Sequence, residues 1–217
     1  MKIRTLEHLN QRLTDDFVWR RKEITDLNDL IDTRTFSVGK QTMLLRGGIT
    51  LLYAHWEGYI KTVSNSYLEF VVRQKLTYDE LAINFVAIAM KTKLKEATET
   101  NKATIFTEVT KFLLTQTNNR SSIPYEDVVT TGSNLSSSIL CEITCILGLD
   151  YSSYGKKEFV IIDEELLKRR NAIAHGEYLS LSRDEYRNLQ IQIVAMMEHF
   201  RDRVENSAAQ KLYLRNP

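Results

Sequence analysis

The chain has 217 residues, is 43% hydrophobic and carries a formal net charge of +1. That apolar fraction excludes a disordered chain and is enough for a sizeable core, read here as one domain over residues 1–217. Near-neutrality excludes a wholesale electrostatic nucleic-acid binder, so any such contact must come from local patches. Four are candidates: Arg20-Arg21-Lys22, Lys91/Lys93/Lys95, Lys156-Lys157 and Lys168-Arg169-Arg170. The first three read as solvated helix faces.

Only two prolines occur, Pro124 and Pro217, which suits long helices. The first helix is predicted from about Arg4 to Ile31. Leu6, Leu9, Leu13, Phe17, Ile24, Leu27 and Ile31 recur at three-and-four spacing, and Arg20 interrupts the stripe. The second helix runs from about Lys40 to Lys75 with Leu52, Trp56, Ile60, Val63, Tyr67 and Phe70/Val71 inward. Gly47-Gly48 inside it predicts a kink or a close helix approach. Thr77 and Glu80 form a capping box for a third helix reaching about Ala97. A fourth spans about Lys102 to Thr117, with Ile105, Val109 and Phe112/Leu113 facing the core.

Residues 118–133 carry loop chemistry: Asn118-Asn119, Ser121-Ser122, Pro124 and Gly132. The next helix, Leu135 to Leu147, holds Cys141 and Cys145 as buried small apolar residues and ends at Gly148. Two unpaired cysteines indicate a reducing compartment and no tetrahedral zinc site. The stretch LDYSSYGKKEFVIID reads as a loop. Asp163 then caps a helix carrying LLKRRNAIAHGEY, and Ser182 with Glu185 caps the last helix, Arg183 to Glu205. The N-terminus does not read as a signal peptide, and no apolar run suffices to cross a bilayer, so a soluble, cytoplasmic protein is expected.

Within LLKRRNAIAHGEY, residues Arg170 to His175 form Arg-x4-His with Asn171 after the arginine. This pattern resembles the signature of the HEPN ribonuclease superfamily. ArgGlyGly followed by LLYAHWEGYIK (Arg46 to Lys61) and ThrGlySerAsnLeu (Thr131 to Leu135) resemble the narrower MAE-type HEPN-like nucleases. The resemblance implies an all-α HEPN-like helical bundle with, here, a long N-terminal helix. It also implies RNA as substrate, a likeness to dimers with a shared cleft, and no metal or other cofactor. Members act as toxins or as effectors of restriction and antiviral systems, which brings an antitoxin or defence-system protein in as a partner. The superfamily also includes non-catalytic modules that bind RNA or nucleotide, or serve as helical interaction subunits; that alternative stays open.

The residue chemistry is consistent with cleavage. RNA carries its own 2′-hydroxyl nucleophile. Histidine titrates near neutrality and suits proton transfer, so His175 is the acid or base. Arg170 offers a fixed fork of donors to phosphate. Asn171, four before His175 and on the same helix face, supports one of the two, either orienting the imidazole or contacting phosphate. Arg170 and His175, five residues apart, point about 140° apart on a helix. A two-fold dimer can instead bring Arg170 of one copy to His175 of the other. Lys168, Arg169, Tyr178, His55 and Glu57 are candidate substrate contacts. The plainer readings are a salt bridge from Arg170 to Asp163 or Glu164, a helix cap for His175, and a polar flank of the Trp56 stripe for His55 and Glu57.

Overall fold

In the computed structural model, the described residues are 2–33, 36–99, 102–126, 128–132 and 134–217. The helices are α1 (Leu6–Asp32), α2 (Val38–Arg73), α3 (Ile83–Thr98), α4 (Ala103–Thr115), α5 (Ser137–Leu147), α6 (Lys156–Val160), α7 (Arg169–Ala174) and α8 (Arg183–Ala209). A π-helical segment, Ile161–Lys168, joins α6 to α7 without a break. The described residues form no β-strand, only two isolated bridges. The architecture is an all-α bundle.

Its centre is α2, which packs against both α1 and α8, while α1 also touches α8. The apolar spacing read from sequence selects the buried faces. Leu9, Leu13, Phe17, Ile24 and Ile31 of α1 are buried, as are Trp56, Ile60, Val63 and Tyr67 of α2. On α8 the buried face includes Tyr186, Leu189, Ile193, Met197, Phe200 and Val204. Burying a large apolar side chain stabilises by roughly 1.5–3 kcal/mol, so these faces dominate the folding energy. Thr5, Ser37, Ser136 and Ser182 each accept a backbone N–H at a helix start.

Several expectations are corrected. Leu6 is exposed: it faces outward in the first turn of α1, while Ile3 before it and Leu9 after it reach the core. Arg20 is buried, not solvated: its Nε donates to Asp16 at 2.7 Å and its Cζ lies over the Trp19 ring. The Thr77–Glu80 hydrogen bonds form, but they close a turn, and α3 begins only at Ile83. Leu113 and Cys145 face outward, and Cys141 is only half-buried. Trp19 is about half exposed, its ring edge-on to His55. No described helix is long and apolar enough to cross a membrane.

The stretch expected to be a loop, residues 149–163, instead enters a helix at Lys156. The Glu158 carboxylate accepts the Gly155 N–H at 2.8 Å and starts that helix. Asp163 therefore cannot cap its own helix, since it lies inside the π segment. Helical winding continues through the motif to Ala174. It is terminated by a Schellman turn: Gly176 N–H donates to the Ile173 carbonyl and Glu177 N–H to the Ala172 carbonyl. Gly176 has φ +78°, a left-handed conformation that glycine reaches at no steric cost.

Candidate active site

Arg170 leaves the first turn of α7 toward α2. Its Cζ stands 4.5 Å from the centroid of the Tyr53 ring, within cation–π range. Its Nη1 donates to Asn134 Oδ1 at 2.6 Å and to Asn171 Oδ1 at 2.8 Å. The salt bridge to Asp163 or Glu164 does not form. Glu164 pairs with Lys168 at 2.6 Å, and Asp163 bonds Ser137. The guanidinium is thus held by neutral oxygens and an aromatic face, and no carboxylate among the described residues is bonded to it.

Tyr53 is itself fixed. It is buried, and its hydroxyl accepts the Leu135 N–H at 2.7 Å. Burial, reinforced by a hydrogen bond to Glu57 and opposed by the Leu135 N–H and Arg170, pushes the phenol up to about 12, so it stays protonated. Glu57 accepts from Lys61 Nζ at 2.8 Å and from the Thr131 hydroxyl. Burial alone would raise the Glu57 carboxyl, but the hydrogen bonds from Lys61, Thr131 and Tyr53 win and hold it below the ordinary value. Thr131, Asn134 and Leu135 thus tie one loop to α2 and α7; Ser133 lies outside the described residues.

His175 occupies the C-cap position of α7, with its backbone N–H on the Asn171 carbonyl at 2.9 Å. The C-cap reading of this residue is therefore also met. Its side chain is exposed and lines a groove of about 740 Å³ with Leu167, Lys168, Arg169, Asn171, Ala172 and Leu179, and with four acidic residues, Asp163, Glu164, Glu165 and Glu177. Arg170 does not line that groove, and no hydrogen bond joins it to His175 in the chain. Asn171 is the residue common to both: it lines the groove and touches Arg170. Arg46 Nη2 donates to the Glu177 carbonyl at 3.0 Å, tying the turn after His175 to α2.

The other candidates divide. Lys168 is exposed at the groove edge beside Glu164. Arg169 is engaged by two carboxylates, Glu165 at 2.5 Å and Glu185 at 3.6 Å. Tyr178 is 80% exposed, just beyond the Schellman turn. His55 lies elsewhere: it is buried against α1, with Nε2 3.1 Å from Glu23 and the Trp19 ring edge-on. Two residues along a helix turn a side chain by about 200°, so His55 faces α1 while Glu57 faces the 131–135 loop. Glu57 binds that loop and Lys61. Asn134 and Tyr53 were not singled out from the sequence. The family-like stretches 131–135 and 46–61 contain Asn134 and Tyr53 but give neither a role. Among the described residues, no three His, Cys, Asp or Glu side chains converge as metal ligands.

The geometry defines an all-α bundle presenting an Arg–Asn pair and an exposed histidine at the end of one helix. The chain matches the MAE_28990-like HEPN family over residues 9–213 and belongs to it. No curated protein and no solved structure matches it.

Proposed function

We propose that this HEPN protein is a metal-independent endoribonuclease. Arg170 binds the scissile phosphate and stabilises the charge that builds there in the transition state. His175 transfers the proton. The 2′-hydroxyl of the substrate attacks phosphorus and gives up its proton to a base. The P–O5′ bond breaks and the 5′-oxygen takes a proton, leaving a 2′,3′-cyclic phosphate and a 5′-hydroxyl. Asn171 orients the Arg170 fork beside the groove that holds His175.

The observation that carries this reading is the state of Arg170. One nitrogen is engaged by two amide oxygens, no carboxylate among the described residues is bonded to the guanidinium, and the motif's histidine stands exposed five residues further on. Arg20, Arg169 and Arg187, by contrast, each sit in an ion pair. Because Arg170 and His175 of one chain face different ways, the reading includes a homodimer in which each cleft takes Arg170 from one copy and His175 from the other. Lys168 and Tyr178 flank the cleft as RNA contacts. An RNA-cutting activity needs restraint in its host, so the proposed setting is a toxin–antitoxin, restriction or antiviral system with a partner that holds the enzyme in check.

The test is cleavage of single-stranded and structured RNA in EDTA. Wild type cuts, with cyclic-phosphate ends, and Arg170→Ala and His175→Ala each abolish cutting. Cutting that survives both substitutions rejects the assignment. RNA binding without cutting under any condition, by contrast, assigns a non-catalytic HEPN module.

A further inference from the structure

The loop that crosses from α4 to α5 ends in a short segment stitched to three elements. Thr131 donates its hydroxyl to Glu57 of α2, and Leu135 N–H donates to Tyr53 of α2. Ser137 N–H donates to Asp163 of the π segment at 2.8 Å. Between these anchors Asn134 presents its amide oxygen to Arg170.

We infer that Asn134 and Tyr53 are positioning residues that set the plane and the in-plane rotation of the Arg170 guanidinium for phosphate. The inference rests on the reading of Arg170 as the phosphate-binding group.

A guanidinium at the end of a long side chain has many rotamers, and a phosphate is gripped well only by two parallel N–H groups of one edge. Two constraints are therefore needed. The Tyr53 ring, 4.5 Å from Cζ, holds the cation against its negative face and so restricts its tilt. The Asn134 and Asn171 oxygens both accept from Nη1, which carries two hydrogens, and two acceptors on one nitrogen restrict rotation within that plane. The hydrogens of Nε and Nη2 are the ones left for a bidentate contact. Neither constraint adds a negative charge beside the substrate. Glu57, a carboxylate beside Tyr53, is occupied by Lys61 and Thr131 and serves to hold the loop.

The experiment measures affinity for an RNA carrying 2′-deoxyribose at the cut site, so that binding is read without turnover. Asn134→Ala and Tyr53→Leu are each expected to weaken binding on the order of three- to tenfold, the cost of ordering one freed, rotamer-rich side chain on binding. Added to Arg170→Ala, Asn134→Ala is expected to cost nothing more, because its route to the RNA is gone. Side-chain nitrogen NMR supplies a readout free of RNA. Rotation of the Arg170 guanidinium is slow in wild type and fast in Asn134→Ala, at unchanged melting temperature. Wild-type affinity in Asn134→Ala overturns the proposal, as does a loss that adds in full on top of Arg170→Ala. Should Tyr53→Leu not fold, Asn134→Ala and the NMR signal decide alone. Failure of the ribonuclease reading is seen separately, as absence of cutting by wild type.

Discussion

Asp163 and Ser137 lie on different elements, yet the Asp163 carboxylate accepts both the backbone N–H and the hydroxyl of Ser137 at the first turn of α5. An acidic group there satisfies an orphan amide and meets the positive end of the helix dipole. Removing it by Asp163→Ala is expected to lower stability by about 1–2 kcal/mol. It should also weaken RNA cutting, since Ser137 and Asn134 share one segment. Denaturant unfolding checks the first effect; a variant as stable as wild type refutes the capping role.

Two adjacent glycines should respond in opposite directions. A Cβ at Gly48 would lie 2.7 Å from Cε2 of Tyr186, whose ring is almost wholly buried where α2 meets α8. Gly48→Ala is expected to cost about 1–3 kcal/mol as overpacking. A Cβ at Gly47 would meet nothing within 4 Å, so Gly47→Ala is expected to stabilise by about 0.5–1 kcal/mol through helix propensity. Melting temperatures of the two variants decide; equal shifts would refute the packing account.

Gly176→Ala should cost about 1–2 kcal/mol, from the left-handed backbone alone, because its Cβ would meet no neighbour. The Schellman turn sets where α7 stops after His175, so cutting should fall by more than the stability loss explains. Comparing initial rates well below the melting range with the unfolding free energy separates the two.

Burial lowers the His55 titration below its ordinary 6.5, with nearby Arg20 pushing the same way and Glu23 and Asp16 opposing. The folded chain therefore binds fewer protons here than the unfolded chain. The stabilising contribution of neutral His55 is complete above about pH 6.5 and is lost as the pH falls through the depressed folded value. His55→Gln should show a smaller drop in urea midpoint than wild type between about pH 7.5 and about pH 5. Equal drops would assign the acid sensitivity to other groups.

If each cleft draws Arg170 and His175 from different copies, mixing two dead variants should restore activity. A hybrid of Arg170→Ala and His175→Ala chains contains one intact cleft of two. Random pairing makes about half the dimers hybrids, so recovery approaches about a quarter of wild-type cutting. No recovery after verified subunit exchange would place both groups of a working site in the same chain.

The sequence alone determined the helices that make the core. α1, α2 and α8 follow from apolar spacing, and the α8 start from Ser182 and Glu185, because a helix's buried stripe and its caps are encoded within a few residues of each other. The Arg-x4-His motif was legible for the same reason: it is local.

Only the tertiary structure decided what those residues touch. Asn134 and Arg170 are 36 positions apart, and Tyr53 and Leu135 are 82 apart. No spacing rule reaches across such distances, because the contacts depend on how α2, α7 and the 131–135 loop pack. The same holds for Asp163, whose acidic side chain signals a cap but whose helix was set by Glu158 upstream, leaving the carboxylate to serve α5. Local chemistry is written in the chain; the pairing of distant groups is fixed only when the core brings them together.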